Sequence, residues 1–264
     1  MESERLKSFL IWAKTPLQRL LAPFGLRSSR TIAGHRFFFD PSTDIGAEIL
    51  VTGQFERNAI AQCANFIGHD GIVVDVGANI GIHTVHFAGM VRSGKVISFE
   101  PSRATFANLL ENVKHLTNVI PVNLALSDST SLQAFFVAAD DAYSGLNDTK
   151  RKAILRQEPI VCVKADDILL AILQNLRVDL VKIDVEGAEL QVLSGMREFI
   201  VTHKPVIFCE IFGGLHSNPD PEATVQFCRS LGYDAFVLDG AQLKPAVTHS
   251  DRFYNYFFIP GRPK

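Results

Sequence analysis

The 264-residue chain holds four cysteines, Cys63, Cys162, Cys209 and Cys228, and no two stand closer than 19 residues. Without a CxxC pair there is no zinc knuckle and no dithiol redox couple, so the thiols read as reduced core residues of a cytoplasmic protein. Long apolar runs are also missing. In the first thirty residues every apolar piece, such as Phe9 to Trp12, is interrupted by Lys7, Lys14, Arg19, Arg27 or Arg30. None approaches the ~18 residues that cross a bilayer, which excludes a transmembrane segment there and leaves a helix that ends near Gly25 and docks on the outside of the fold. A charge excess is absent as well, with 26 Lys and Arg against 28 Asp and Glu and a net charge of −2. No basic field is available for a phosphate backbone, so nucleic acid is not an expected partner.

What the chain does have is apolar content, 47% hydrophobic against 20% charged residues, enough for one large core. From residue 71 to 260, short β-branched runs alternate with segments of helical period, the pattern of βαβ units in an α/β fold. Strands are predicted at 72–76, 95–99, 119–123, 178–183, 206–211, 233–238 and 253–259, with helices after residue 82, after Ser102, and near 188–200 and 222–231. The last two strands are joined by residues 239–252 without a helical pattern, so they are expected to pair antiparallel. Residues 127–166 depart from this rhythm, with strand-like runs at 132–138 and 160–164 around a polar loop. An insertion of that kind often covers a site. Ahead of the first core strand, a short strand at 35–39 and a helix at 54–66 form an accessory layer.

In an open parallel sheet the ligand lies beyond the carboxyl ends of the strands. The turn after the first strand reads Asp75-Val76-Gly77-Ala78-Asn79-Ile80-Gly81, and Glu100 ends the second strand. Gly77 and Gly81 permit a tight turn, the amides of the following helix up to Thr84 point to the crevice, and a carboxylate such as Glu100 accepts both hydrogen bonds of a ribose diol. A nicotinamide dinucleotide enzyme, an NAD(P)-dependent oxidoreductase, would share this geometry. Its GxGxxG fingerprint, however, lacks the second glycine here, and Asp75 would repel a pyrophosphate. The same acid suits S-adenosylmethionine, which has an amino-acid end and no phosphate.

Three separated segments carry a resemblance. Val74 through Gly81, then Phe99-Glu100-Pro101, then Val181-Lys182-Ile183-Asp184-Val185-Glu186-Gly187-Ala188-Glu189 with Val192-Leu193-Ser194-Gly195 resemble the FkbM-type methyltransferase family. The resemblance implies a class I methyltransferase fold, Rossmann-like, with a seven-stranded mostly parallel sheet, helices on both faces and one antiparallel strand. It divides the chain into an accessory segment, 1–50, and an S-adenosylmethionine-dependent methyltransferase domain, 51–264. It further implies transfer of a methyl group to a hydroxyl of a sugar, glycan or small secondary metabolite. By position, Asp75, Gly77, Asn79 and Gly81 belong to the methionine end of the donor, Glu100 to its ribose, and Ser127 and Asp128 to its adenine edge, with Thr84 counted among the donor-binding residues as well.

The reacting groups of this fold lie beyond the fourth strand, where alternation puts Lys182 and Asp184 on one face. Asp184 is the first candidate to accept the hydroxyl proton or to bind the donor's amino group, followed by Glu186 and Glu210. His216 and His83 are candidate bases by the chemistry of imidazole. His83 and His86 lack a third ligand, so no metal is assigned; Asp140-Asp141 reads as a solvated turn and Lys150-Arg151-Lys152 as an exposed face. A methyltransferase acting on nucleic acid is the remaining variant, and the net charge gives it no support.

Overall fold

The computed structural model describes residues 27–174, 176–213 and 218–261; the helix read before Gly25 lies outside them. The chain opens with a hairpin of β1 (Ser28–Ile32) and β2 (His35–Phe39), followed by α1 (Asp44–Thr52) and α2 (Arg57–Cys63). Thr43 caps α1 by accepting from the Gly46 amide. The alternating part then runs β3 (Ile72–Val76), α3 (Ile82–Met90), β4 (Lys95–Phe99), α4 (Arg103–Val113) and β5 (Val119–Val122). The insertion contributes β6 (Ala125–Ser127), β7 (Ser131–Ala138) and β8 (Ile154–Lys164), which form their own three-stranded sheet. After it come α5 (Ala165–Leu173), β9 (Val178–Ile183), α6 (Glu189–Gly195), α7 (Arg197–His203), β10 (Val206–Glu210), α8 (Pro221–Ser230), β11 (Tyr233–Asp239), β12 (Gln242–Pro245) and β13 (Asn255–Pro260).

The main sheet has the order β12-β11-β13-β10-β9-β3-β4-β5. Strands β5, β4, β3, β9 and β10 pair parallel, and β13 runs antiparallel between β10 and β11, as expected of the last strand. To the seven expected strands the structure adds an eighth, β12, antiparallel on the edge of β11. Its sequence, Gln-Leu-Lys-Pro, is largely exposed and ends in proline, so it carries no buried alternation for a sequence reading to find. The helix expected over 188–200 is two helices. The break falls at Met196, and the preceding Gly195, last residue of α6, sits where a Cβ would come within 1.8 Å of the Ser127 carbonyl oxygen.

Strand β3 shows why the centre of the sheet reads as unbroken apolar sequence. Ile72, Val74 and Val76 pack with Leu169, Val192, Phe199 and Val225 from the helices on one face. Val73 packs with Cys63, Phe87 and Val91 on the other. Burial on both faces removes the polar alternation of a half-exposed strand.

Residues 28–52 form a cap on this core. Ile32, Phe37 and Phe39 of the hairpin and Ile45 and Ile49 of α1 join Ile80, Ile82, Val85 and Leu109 in one cluster. The division read at residue 50 falls inside α1. Asn112 of α4 fastens the layer: its Nδ2 donates to the carbonyls of Phe38 and Ile80, both at 2.9 Å, and its Oδ1 accepts from the Phe38 amide at 2.8 Å. Asn112→Ala strands those buried backbone groups and is expected to cost about 2 kcal/mol, read as a lower urea midpoint at unchanged slope. A loss below about 0.5 kcal/mol would show that apolar contact alone holds the layer.

Candidate active site

The turn after β3 is built on the end of β4. The amides of Gly77 and Ala78 donate to the Phe99 carbonyl at 3.0 and 2.9 Å, and the Asn79 amide donates to Glu100 Oε2 at 3.0 Å. The other oxygen of Glu100 accepts from the Ser102 amide at 2.9 Å. Burial pushes the Glu100 carboxyl up to about 7, opposed by these two amide donors. Gly77 has φ of +75°, and a Cβ there would lie 1.8 Å from the Asp184 carbonyl oxygen, so two strand ends meet where only glycine fits.

Beneath the turn sits a buried cation. Asp75 on β3 and Lys182 on β9 are register partners. Lys182 Nζ donates to the Gly77 carbonyl at 2.7 Å and lies 3.4 Å from both Asp75 Oδ1 and Asp184 Oδ2. Burial pulls the ammonium down, but Asp75, Asp184, Glu210 and Glu56 outweigh it and hold Lys182 above its ordinary range. The second oxygen of Asp75 accepts from the Thr84 hydroxyl at 2.6 Å. The sequence reading placed Asp75, Thr84 and Gly81 against the donor; the structure turns all three away from the cavity. Asp75 pairs with Lys182 and accepts from Thr84, while a Cβ at Gly81 would run into Leu109.

A cavity of about 1130 Å³ opens over these strand ends. Gly77, Asn79, Glu100 and Pro101 line it after β3 and β4, with Leu124 and Leu126 beyond β5; Asp184, Glu186, Glu210 and Phe212 line it at the ends of β9 and β10, and Glu56 and Tyr254 line it too. Acidic side chains outnumber lysines and arginines in its lining. The insertion supplies a wall in which Arg151 donates to Glu186 Oε2 at 2.9 Å and lies over the rings of Tyr143 and Phe212. Arg151 is therefore a packed rim residue and not part of an exposed run. Burial and the Asp184 charge push Glu186 up to about 8 against the pull of Arg151. Burial, together with Asp184, Glu56 and Glu186, also holds Glu210 well above the usual carboxylate range.

Other expected residues lie apart. Ser127 is buried beneath Gly195 and Asp128 is exposed, so neither lines the cavity. Asp140 is no solvated turn; it is buried and accepts from the Asp44 amide at 2.8 Å. Glu189 is spent on the Gly187 amide and Asn218. His216 lies outside the described residues. Among the described residues no group of three or more His, Cys, Asp or Glu is arranged to hold a metal ion. Sequence reasoning missed Glu56, which sits in no motif, and expected Lys182 to meet the ligand beside Asp184; the structure pairs the ammonium with Asp75, Asp184 and the Gly77 carbonyl.

A parallel sheet with one reversed inner strand, a glycine turn, and an acid ending the neighbouring strand make up a class I methyltransferase fold. Residues 75–235 match the model of the methyltransferase FkbM domain, and the chain belongs to that family. A hexuronic acid methyltransferase, AglP, of Haloferax volcanii is 30% identical over 208 residues, 78% of this chain and 77% of its own length. A protein named Methyltransferase 1 from Beauveria bassiana is 31% identical over 147 residues, 48% of this chain and 59% of its own length. A solved FkbM methyltransferase from Methylobacillus flagellatus is similar at 18% identity, over 73% of this chain and 44% of that one, with a TM-score of 0.48. The match places a methyltransferase domain in the chain, and family and fold together imply S-adenosylmethionine as its donor; the chain spans about three fifths of the length of the Beauveria relative. No helix among the described residues is long and apolar enough to cross a membrane.

Proposed function

We propose that the protein transfers a methyl group from S-adenosylmethionine to a hydroxyl of a sugar, glycan or small secondary metabolite. The observation that carries this reading is the division of one acid-rich cavity into two ends. Glu100 stands at one, each oxygen holding one amide and keeping lone pairs for a diol; Asp184, Glu186 and Glu210 stand at the other. An excess of carboxylates suits a donor of net positive charge and disfavours a phosphate-bearing acceptor. The name of the archaeal relative, a hexuronic acid methyltransferase, supports a sugar.

When bound, the donor supplies an activated methyl on a sulfonium. The chain supplies the rest. Glu100 binds the ribose, Asp184 accepts from the donor's ammonium on the side away from Lys182, and Gly77 and Asn79 shape the floor. Asp75 and Thr84 act one layer back, by fixing Lys182 and through it the Gly77 carbonyl. Tyr143, Arg151 and Phe212 wall off the acceptor.

Titration calorimetry with S-adenosylhomocysteine tests the donor site, and absence of binding at millimolar ligand would refute it. The pH dependence carries more information. With Glu100 near 7, the carboxyl is mostly protonated at pH 6 and mostly ionised at pH 8. The ionised form accepts from both ribose hydroxyls, so affinity should rise about five- to tenfold between those pH values. Asp141, Glu186 and Glu189 also titrate in this range. Glu100→Gln removes the Glu100 share alone: its affinity should be weaker at pH 8 and rise less between pH 6 and pH 8 than that of the unaltered protein. An unchanged profile in that variant would remove Glu100 from the ribose.

A further inference from the structure

Glu56, just before α2, has φ of +43° and ψ of +40°, a left-handed backbone that a residue with a Cβ adopts only when its surroundings impose it. It makes no capping hydrogen bond to its own helix, and its side chain lines the cavity. Oε2 lies 3.2 Å from Nε2 of His83, on the first turn of α3. Oε1 lies 3.4 Å from Nδ2 of Asn255, the first residue of β13, whose register partner is Glu210. His83 is buried between the rings of Phe55, Phe87 and Phe208, and its Nε2, aimed at Glu56, has no aligned hydrogen bond. Spacing of this kind is common in catalytic pairs before substrate is in place.

We propose that Glu56, held by His83 and Asn255, is the base that takes the acceptor's hydroxyl proton. The proposal rests on the reading of the site as a hydroxyl methyltransferase. The acceptor oxygen forms the new bond to the methyl carbon as the carbon–sulfur bond breaks; its electron pair stays on sulfur, which becomes a neutral thioether. The O–H pair stays on oxygen and the proton passes to Glu56. Methyl ether, S-adenosylhomocysteine and a protonated Glu56 balance the step, and solvent takes the proton afterwards.

The other carboxylates of this end are less suited. Asp184 is paired with Lys182, Glu186 is held by Arg151, and Glu186 and Glu210 are both pushed toward their protonated forms. For Glu56, burial is outweighed by His83, Asn255 and Lys182, which keep the carboxyl below its ordinary range. The titratable groups felt by or feeling it are His83, Lys182, Glu210, Cys63 and Tyr254. Glu56 and Asn255 both stand outside residues 75–235, which match the family model, so this device belongs to the chain's own flanks.

Two measurements decide it. Carbon-13 titration of the Glu56 carboxyl with S-adenosylhomocysteine bound needs no acceptor: Glu56 should stay ionised at pH 5, and His83→Gln should raise its titration. A carboxyl that carries its proton at pH 7 overturns the proposal. Turnover is then measured with S-adenosylmethionine and a panel of methyl hexosides and methyl hexuronosides. Glu56→Gln should lower kcat about 100-fold or more, remove the acid limb of the kcat profile, and leave homocysteine-adduct affinity within about twofold. A kcat within about threefold of wild type, or a wild type that binds the adduct and methylates no member of the panel, overturns it too. A wild type that does not bind S-adenosylhomocysteine overturns the donor reading instead.

Discussion

Lys182→Met should lower the unfolding free energy by about 3–5 kcal/mol, since one partner of a buried ion pair is removed and the other is left behind. Both Asp75 and Lys182 are almost wholly shielded from water, at 0% and 2% exposure. Without the ammonium, Asp75 keeps the Thr84 hydroxyl and loses its countercharge, and the Gly77 carbonyl loses its donor. Arginine is no remedy, because a planar fork does not fit three acceptors arranged around a point charge. The double variant Lys182→Met, Asp75→Asn should recover much of the loss by removing the orphaned charge while keeping the side-chain shape. Urea unfolding measures all three; a Lys182→Met loss below about 1 kcal/mol would mean that water or a shift of α3 satisfies Asp75.

Gly77→Ala is expected to cost about 3 kcal/mol, by adding left-handed strain to a steric overlap. The overlap is with backbone, the Asp184 carbonyl oxygen, which cannot rotate away. Gly232 serves as the control, since its φ is +86° and nothing lies within 4 Å of its would-be Cβ. Gly232→Ala should therefore show the conformational cost alone, about 1 kcal/mol. S-adenosylhomocysteine binding should fail in the Gly77 variant and survive in the other. Equal losses in both would show that the turn and the end of β9 separate without penalty.

The centre of the fold was legible because it is buried on both sides. The expected bounds of β3, β4 and β9 match the observed ones, and the reversed last strand followed from a connection too polar for a helix. The periphery was not. The β12 edge offers no buried face, and β1 reads as Ser-Ser-Arg-Thr-Ile, a polar run that becomes a strand only by pairing with β2. At the site, the glycine turn and Glu100 sit where strand-end logic put them, since those positions follow from chain direction alone. Asp75 was assigned outward because its cross-strand neighbour is more than a hundred residues away, and no local pattern announces a lysine there. Arg151 looked like one of three exposed cations; its placement depends on two rings from different parts of the chain. Glu56 has no motif around it, and only its unusual backbone and three-dimensional neighbours mark it.

Asn112 donates from its amide nitrogen both to the Phe38 carbonyl and to the carbonyl of Ile80, in the glycine turn, while its oxygen accepts from the Phe38 amide. The opening hairpin is thereby keyed to the turn that lines the cavity, although it touches nothing in the cavity itself. A displacement of the hairpin is taken up by those few bonds or handed on to the turn that carries Asn79, so alterations far upstream should register as weaker binding of the donor proposed for that cavity.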